Sequence, residues 1–76
     1  MPAKYTYKQG QYLAYIHLFT KLHRQPPSES EMQQHFGVTP PSVHQMILTL
    51  EKRGLISRIP WTARSLVPQQ ELPDLD

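Results

Sequence analysis

The stretch that decides the fold runs from Ser28 to Gly54, SESEMQQHFGVTPPSVHQMILTLEKRG. Ser28 and Glu31 stand three residues apart. At that spacing a serine and a glutamate side chain each satisfy the other's free backbone N–H at a helix start. Glu29 and Glu31 fall in the first turn, where the helix dipole favours negative charge. Met32 and Phe36 supply an apolar stripe, and Gly37 stands where a helix end prefers a left-handed residue. This predicts a helix of about eight residues. A second helix starts at once. Thr39 is an N-cap, and Pro40 sits at the first helical position, where its missing N–H costs nothing. Val43, Met46, Ile47 and Leu50 recur at the spacing of a helical core face. Gly54 closes the element behind Lys52 and Arg53, whose charges complement the C-terminal dipole. A capped short helix, a three-residue turn and a longer amphipathic helix form the unit with which helix-turn-helix proteins approach DNA. A helix with its side chains fits the major groove, and its companion fixes the angle of approach.

Upstream, Thr6 and Gln9 repeat the reciprocal capping pattern. Tyr12, Leu13, Ile16, Phe19 and Thr20 then recur at helical spacing, and Gln25-Pro26-Pro27 ends the element near His23. Downstream, Leu55 to Ile59 partly alternates apolar and polar residues. A turn-like Pro60-Trp61-Thr62-Ala63-Arg64 leads into Ser65 to Pro68, and the pair reads as a small β-hairpin. The expected fold is mainly α with a small β-hairpin, a three-helix winged helix-turn-helix. It occupies residues 1–68, and 69–76 form a flexible acidic tail.

Composition narrows the function. The chain has 76 residues, the size of one small domain, and no cysteine for a disulfide, a thiolate zinc site or a thiol nucleophile. Residues 1–70 hold all 8 basic and 3 of the 6 acidic residues, a net charge of +5, which suits a polyanionic partner. No apolar run is long enough to span a membrane and no signal peptide opens the chain, so a cytoplasmic location is expected. An enzyme is the weakest reading. His17, His23, His35 and His44 form no metal-ligand pair on one helix face, and neither a phosphate loop nor an activated nucleophile is evident. No metal and no cofactor is expected.

Three segments, PPSESEM at 26–32, FGVTP at 36–40 and VH through LEKRGLI at 43–56, resemble the DNA-binding domain of LexA-type repressors. The Thr6-to-Gln9 opening is similar to that family as well, and MarR-like winged domains share the LEKRGLI ending. The resemblance covers about residues 5–67. It implies a transcriptional regulator of bacterial or phage type, with the third helix in the major groove and the hairpin wing on the phosphate backbone. LexA-type repressors continue into a self-cleaving Ser/Lys peptidase domain, and these residues are not expected to supply that activity.

A helical wheel of the third helix places Pro41, Gln45, Leu48 and Lys52 opposite the core face, flanked by Ser42, His44 and Thr49. The family places base contacts near the helix start and along its outer face, which match Thr39, Ser42, His44 and Gln45. Gln45 is the leading base reader, since an amide can bond adenine through two atoms. His44 could donate to guanine or phosphate, and Leu48 could touch a thymine methyl. Thr39 reads as a cap that also touches phosphate. Lys52, Arg53, Arg58 and Arg64 are the candidate phosphate contacts, Arg64 as a wing arginine, and Trp61 could lie along the sugar–phosphate backbone. Lys4 and Lys8 read as surface charges. Each polar residue also has a plain reading as a solvated side chain.

Two partner readings complete the expectations. The apolar arc of the first helix extends to Tyr15, Leu18 and Leu22, a surface for a homodimer or for the tail's Leu72 and Leu75. The alternative to DNA binding is a winged helix used for protein docking, which the lack of Arg or Lys between Pro40 and Glu51 would suit.

Overall fold

The computed structural model describes residues 5–59, 62 and 64–68. Lys4, Trp61 and the 69–76 segment lie outside the described residues. Three helices, α1 (Tyr7–His23), α2 (Glu29–Phe36) and α3 (Pro40–Lys52), precede two short strands, β1 (Ile56–Ser57) and β2 (Val67–Pro68). The strands pair antiparallel, Ile56 with Pro68 and Ser57 with Val67, and form the wing. The fold is the expected winged helix-turn-helix.

Local chemistry sets each boundary. Thr6 and Gln9 cap α1 reciprocally, with Gln9 N–H donating to Thr6 Oγ1 at 3.1 Å and Thr6 N–H donating to Gln9 Oε1 at 2.9 Å. Ser28 and Glu31 do the same for α2 at 3.2 and 3.0 Å. Gly37 ends α2 with φ +65, a left-handed conformation that glycine adopts without steric cost. Arg24 ends α1 in the same region at φ 59, which the sequence did not signal, because an arginine gives no local reason to expect it. The strands are shorter than expected. Ile59 and Ser65 are joined instead through the Ser65 hydroxyl, which accepts from Ile59 N–H at 3.0 Å.

The core gathers Tyr12, Leu13 and Ile16 of α1, Met32 of α2, Val43, Ile47 and Leu50 of α3, and Leu55, Ile56 and Leu66 around the wing. Phe36 stacks on Tyr12 with ring centroids 4.0 Å apart, which holds α2 against α1. Phe19, Thr20 and Met46, expected in the core, are only partly buried. Of the proposed α1 dimer surface, Tyr15 is partly buried, its ring stacked on His35 at 4.1 Å and edge-on to Phe36. Leu18 and Leu22 remain exposed.

Candidate nucleic-acid interface

α3 is anchored along one side and open along the other. Val43, Ile47 and Leu50 have no exposed surface, whereas Pro40, Pro41, Ser42, His44, Gln45 and Lys52 are exposed. Pro41, Ser42, Gln45, Met46 and Thr49 line a shallow, open depression on this outer face. Met46 belongs to both sides, touching the core while lining the outer face. Helical spacing alone places Met46 on the core face, because periodicity cannot mark a side chain at the boundary. Leu48 is half-buried rather than fully outward.

Hydrogen bonds sort the candidates on α3 further. Thr39 Oγ1 accepts from Ser42 N–H at 3.4 Å and lies 2.9 Å from Ser42 Oγ, so Thr39 caps the helix. Pro40 and Pro41 carry no N–H, so the start of α3 offers few backbone donors to an anion. Thr49 donates its hydroxyl to the carbonyl of Gln45 at 2.9 Å within the same helix. His44 Nδ1 lies 3.3 Å from Glu29 Oε1, a link from α3 to the first residue of α2.

The candidate cations are tied into the body. Arg53 donates to Gln9 Oε1 at 2.9 Å, so one carboxamide oxygen caps α1 and holds the end of α3. Arg58 Nε donates to Glu51 Oε1 at 3.1 Å and ties the wing to α3. Arg64 departs most from the expectation of a projecting wing arginine. Its backbone is left-handed (φ 55) and its side chain turns inward. Nη1 reaches Glu31 Oε1 at 2.6 Å and the Pro26 carbonyl at 3.2 Å, and the guanidinium lies 5.9 Å over the Phe19 ring. Lys52, by contrast, is exposed.

Glu31 is the electrostatic hub of this corner. The Ser28 backbone N–H holds its carboxyl below the usual carboxylate range, helped by the Ser28 hydroxyl and by Arg64 and opposed by partial desolvation. Burial pushes the Tyr15 hydroxyl up, with a further contribution from the Glu31 charge. The Glu31–Arg64 pairing escaped sequence reasoning because 33 positions separate the partners and no local pattern joins them.

Comparison with known proteins agrees with this geometry. The family described as "LexA DNA binding domain" matches residues 3–65. A LexA repressor from Thermosipho melanesiensis is 37% identical over 70 residues, covering 90% of this chain. The chain spans 35% of that repressor's length. Together with an anchored α3, a buttressing α2 and a wing, the match over residues 3–65 settles membership: the chain belongs to the LexA DNA-binding domain family and is a DNA-binding domain.

Proposed function

We propose that the chain binds a specific sequence in double-stranded DNA, with α3 in the major groove and the wing along the phosphate backbone. By occupying a promoter site in the cytoplasm it regulates transcription, as a non-catalytic binding domain. One observation carries the reading. The α3 face bearing Ser42, His44 and Gln45 is exposed, while its opposite face is sealed in the core. A rod held that way presents side chains to base edges without cost to the fold. Gln45 is the base reader, His44 and Ser42 flank it, and Leu48 and Thr49 border it. Thr39 and Lys52 touch phosphate at the two ends of the helix.

A guanidinium carries five N–H donors, enough for Arg53 and Arg58 to serve an internal partner and a phosphate together. They add phosphate contacts from fixed positions. Arg64 acts chiefly by holding the wing against α2. A docking-only winged helix is not favoured, since the family matched is one of DNA-binding domains.

Salt dependence tests the proposal. Affinity for duplex DNA should fall steeply as salt rises, and Lys52→Ala should lower the log–log slope by about one contact. Failure to bind any duplex at low salt would overturn the reading.

A further inference from the structure

Resting on the reading of α3 as the DNA-facing helix, we propose that Glu29 makes His44 a proton-linked contact, so that DNA binding takes up a proton at His44 and aims its Nε2–H at a guanine edge or a phosphate oxygen. Glu29 is the first residue of α2, and its carboxylate meets His44 Nδ1 at 3.3 Å beside the open face of α3. Both side chains remain about half exposed, His44 at 54% and Glu29 at 47%. Nδ1 is thus engaged from within the protein, and Nε2 has no hydrogen-bond partner among the described residues.

The proton state decides what that partner can be. A neutral imidazole that gives its only N–H to Glu29 offers Nε2 as an acceptor. Guanine N7 and O6 and phosphate oxygens are acceptors too, so a neutral His44 that keeps its Nδ1–H on Glu29 has no N–H to give them. An imidazolium donates from both nitrogens, one to Glu29 and one to the DNA. Charge points the same way. Duplex DNA carries about one negative charge per 1.7 Å of axis. A carboxylate beside the reading face is repelled by that field unless a cation cancels it, and the protonated ring is the cation within reach.

Other charged groups on the neighbouring described elements have partners of their own. Glu31 of α2 takes Arg64 of the wing, Arg58 of the wing takes Glu51 of α3, and His35 of α2 stacks on Tyr15. At the far end of α3, Arg53 is bonded to Gln9. Lys52 is the remaining charge on α3 and lies two turns beyond His44.

The test is the affinity for a duplex selected from a random pool, measured by fluorescence anisotropy between about pH 5.5 and 8.5 at constant salt. A proton bound with the DNA makes affinity full at low pH. Affinity is then lost as pH rises through the histidine range, by up to about tenfold per unit. His44→Gln should still bind, with a flat profile. Glu29→Gln should bind more tightly than the parent at high pH and show a shallower slope, because the uncancelled carboxylate is gone. If His44→Gln no longer selects one guanine, the contact is a base edge; if it binds all duplexes more weakly with a lower salt slope, the contact is a phosphate. A flat parent profile, or a slope that survives in His44→Gln, overturns the inference and leaves the α3 reading intact. Absence of duplex binding at every pH overturns both.

Discussion

Gln45 stands on the exposed side of a helix whose other side is sealed, and its side-chain amide bonds to none of the described residues. A carboxamide there can satisfy adenine's N6 and N7 together, and the loss of such a pair costs about 1–3 kcal/mol of discrimination. Gln45→Ala should therefore relax base preference at one operator position while leaving the thermal transition unchanged, as read by competition binding and by calorimetry. Glu31 makes the second residue-scale prediction. Its carboxyl is held below the usual range, so its charge stabilises the fold above the ordinary carboxylate pKa. That contribution disappears as pH falls through the lowered value. Glu31→Gln keeps a side chain that can cap α2 but removes the charge. Its melting temperature should fall less steeply than the parent's as pH drops from about 5 toward 3. Parallel curves would contradict the role given to Glu31. The caps at Thr6, Ser28 and Thr39 were legible because a cap is a local pattern three residues long. The inward turn of Arg64 was not, because it depends on a left-handed backbone and on partners in α1, α2 and their connection.

At the scale of the element, the turn between α2 and α3 carries the approach angle of the reading helix. Gly37 holds φ +65 there, with nothing within 4 Å of an added Cβ. The cost of Gly37→Ala is therefore the left-handed backbone alone, about 1 kcal/mol after the stiffer unfolded chain is allowed for. In a domain this small that lowers the melting temperature by about 4–8 °C, which a thermal melt by circular dichroism will register. No shift at all would mean that the turn can relax out of its left-handed state. Helix spans were readable from the sequence because periodicity, cap and breaker agree at both ends of each element. The wing was readable only as a hairpin. Each of its strands is two residues long, and the Ser65 hydroxyl joins its two arms where the ladder stops.

Across the whole molecule, polar ties between elements supplement the core that α1, α2, α3 and the wing share. Gln9–Arg53 joins α1 to α3, His44–Glu29 joins α3 to α2, and Arg64–Glu31 joins the wing to α2. Together with Arg58–Glu51, these ties fix Arg53, Arg58 and Arg64, three of the four cations that the sequence offers as phosphate contacts; Lys52 stays exposed. They also shrink the surface left for self-association. With Tyr15 stacked on His35, Leu18 and Leu22 are what stays exposed of the proposed α1 arc, and two side chains fall short of the roughly 800 Å² per partner of a stable interface. The chain should run as a monomer in light scattering at micromolar concentration; a dimer that Leu22→Asp dissociates would restore the α1 interface.

The most direct measurement is selection of bound duplexes from a random pool, run in parallel with the parent chain and with Gln45→Ala. The account predicts a defined enriched sequence for the parent and the same sequence with one adenine preference lost for the variant. Identical enriched sequences from both proteins, or none from either, would contradict it.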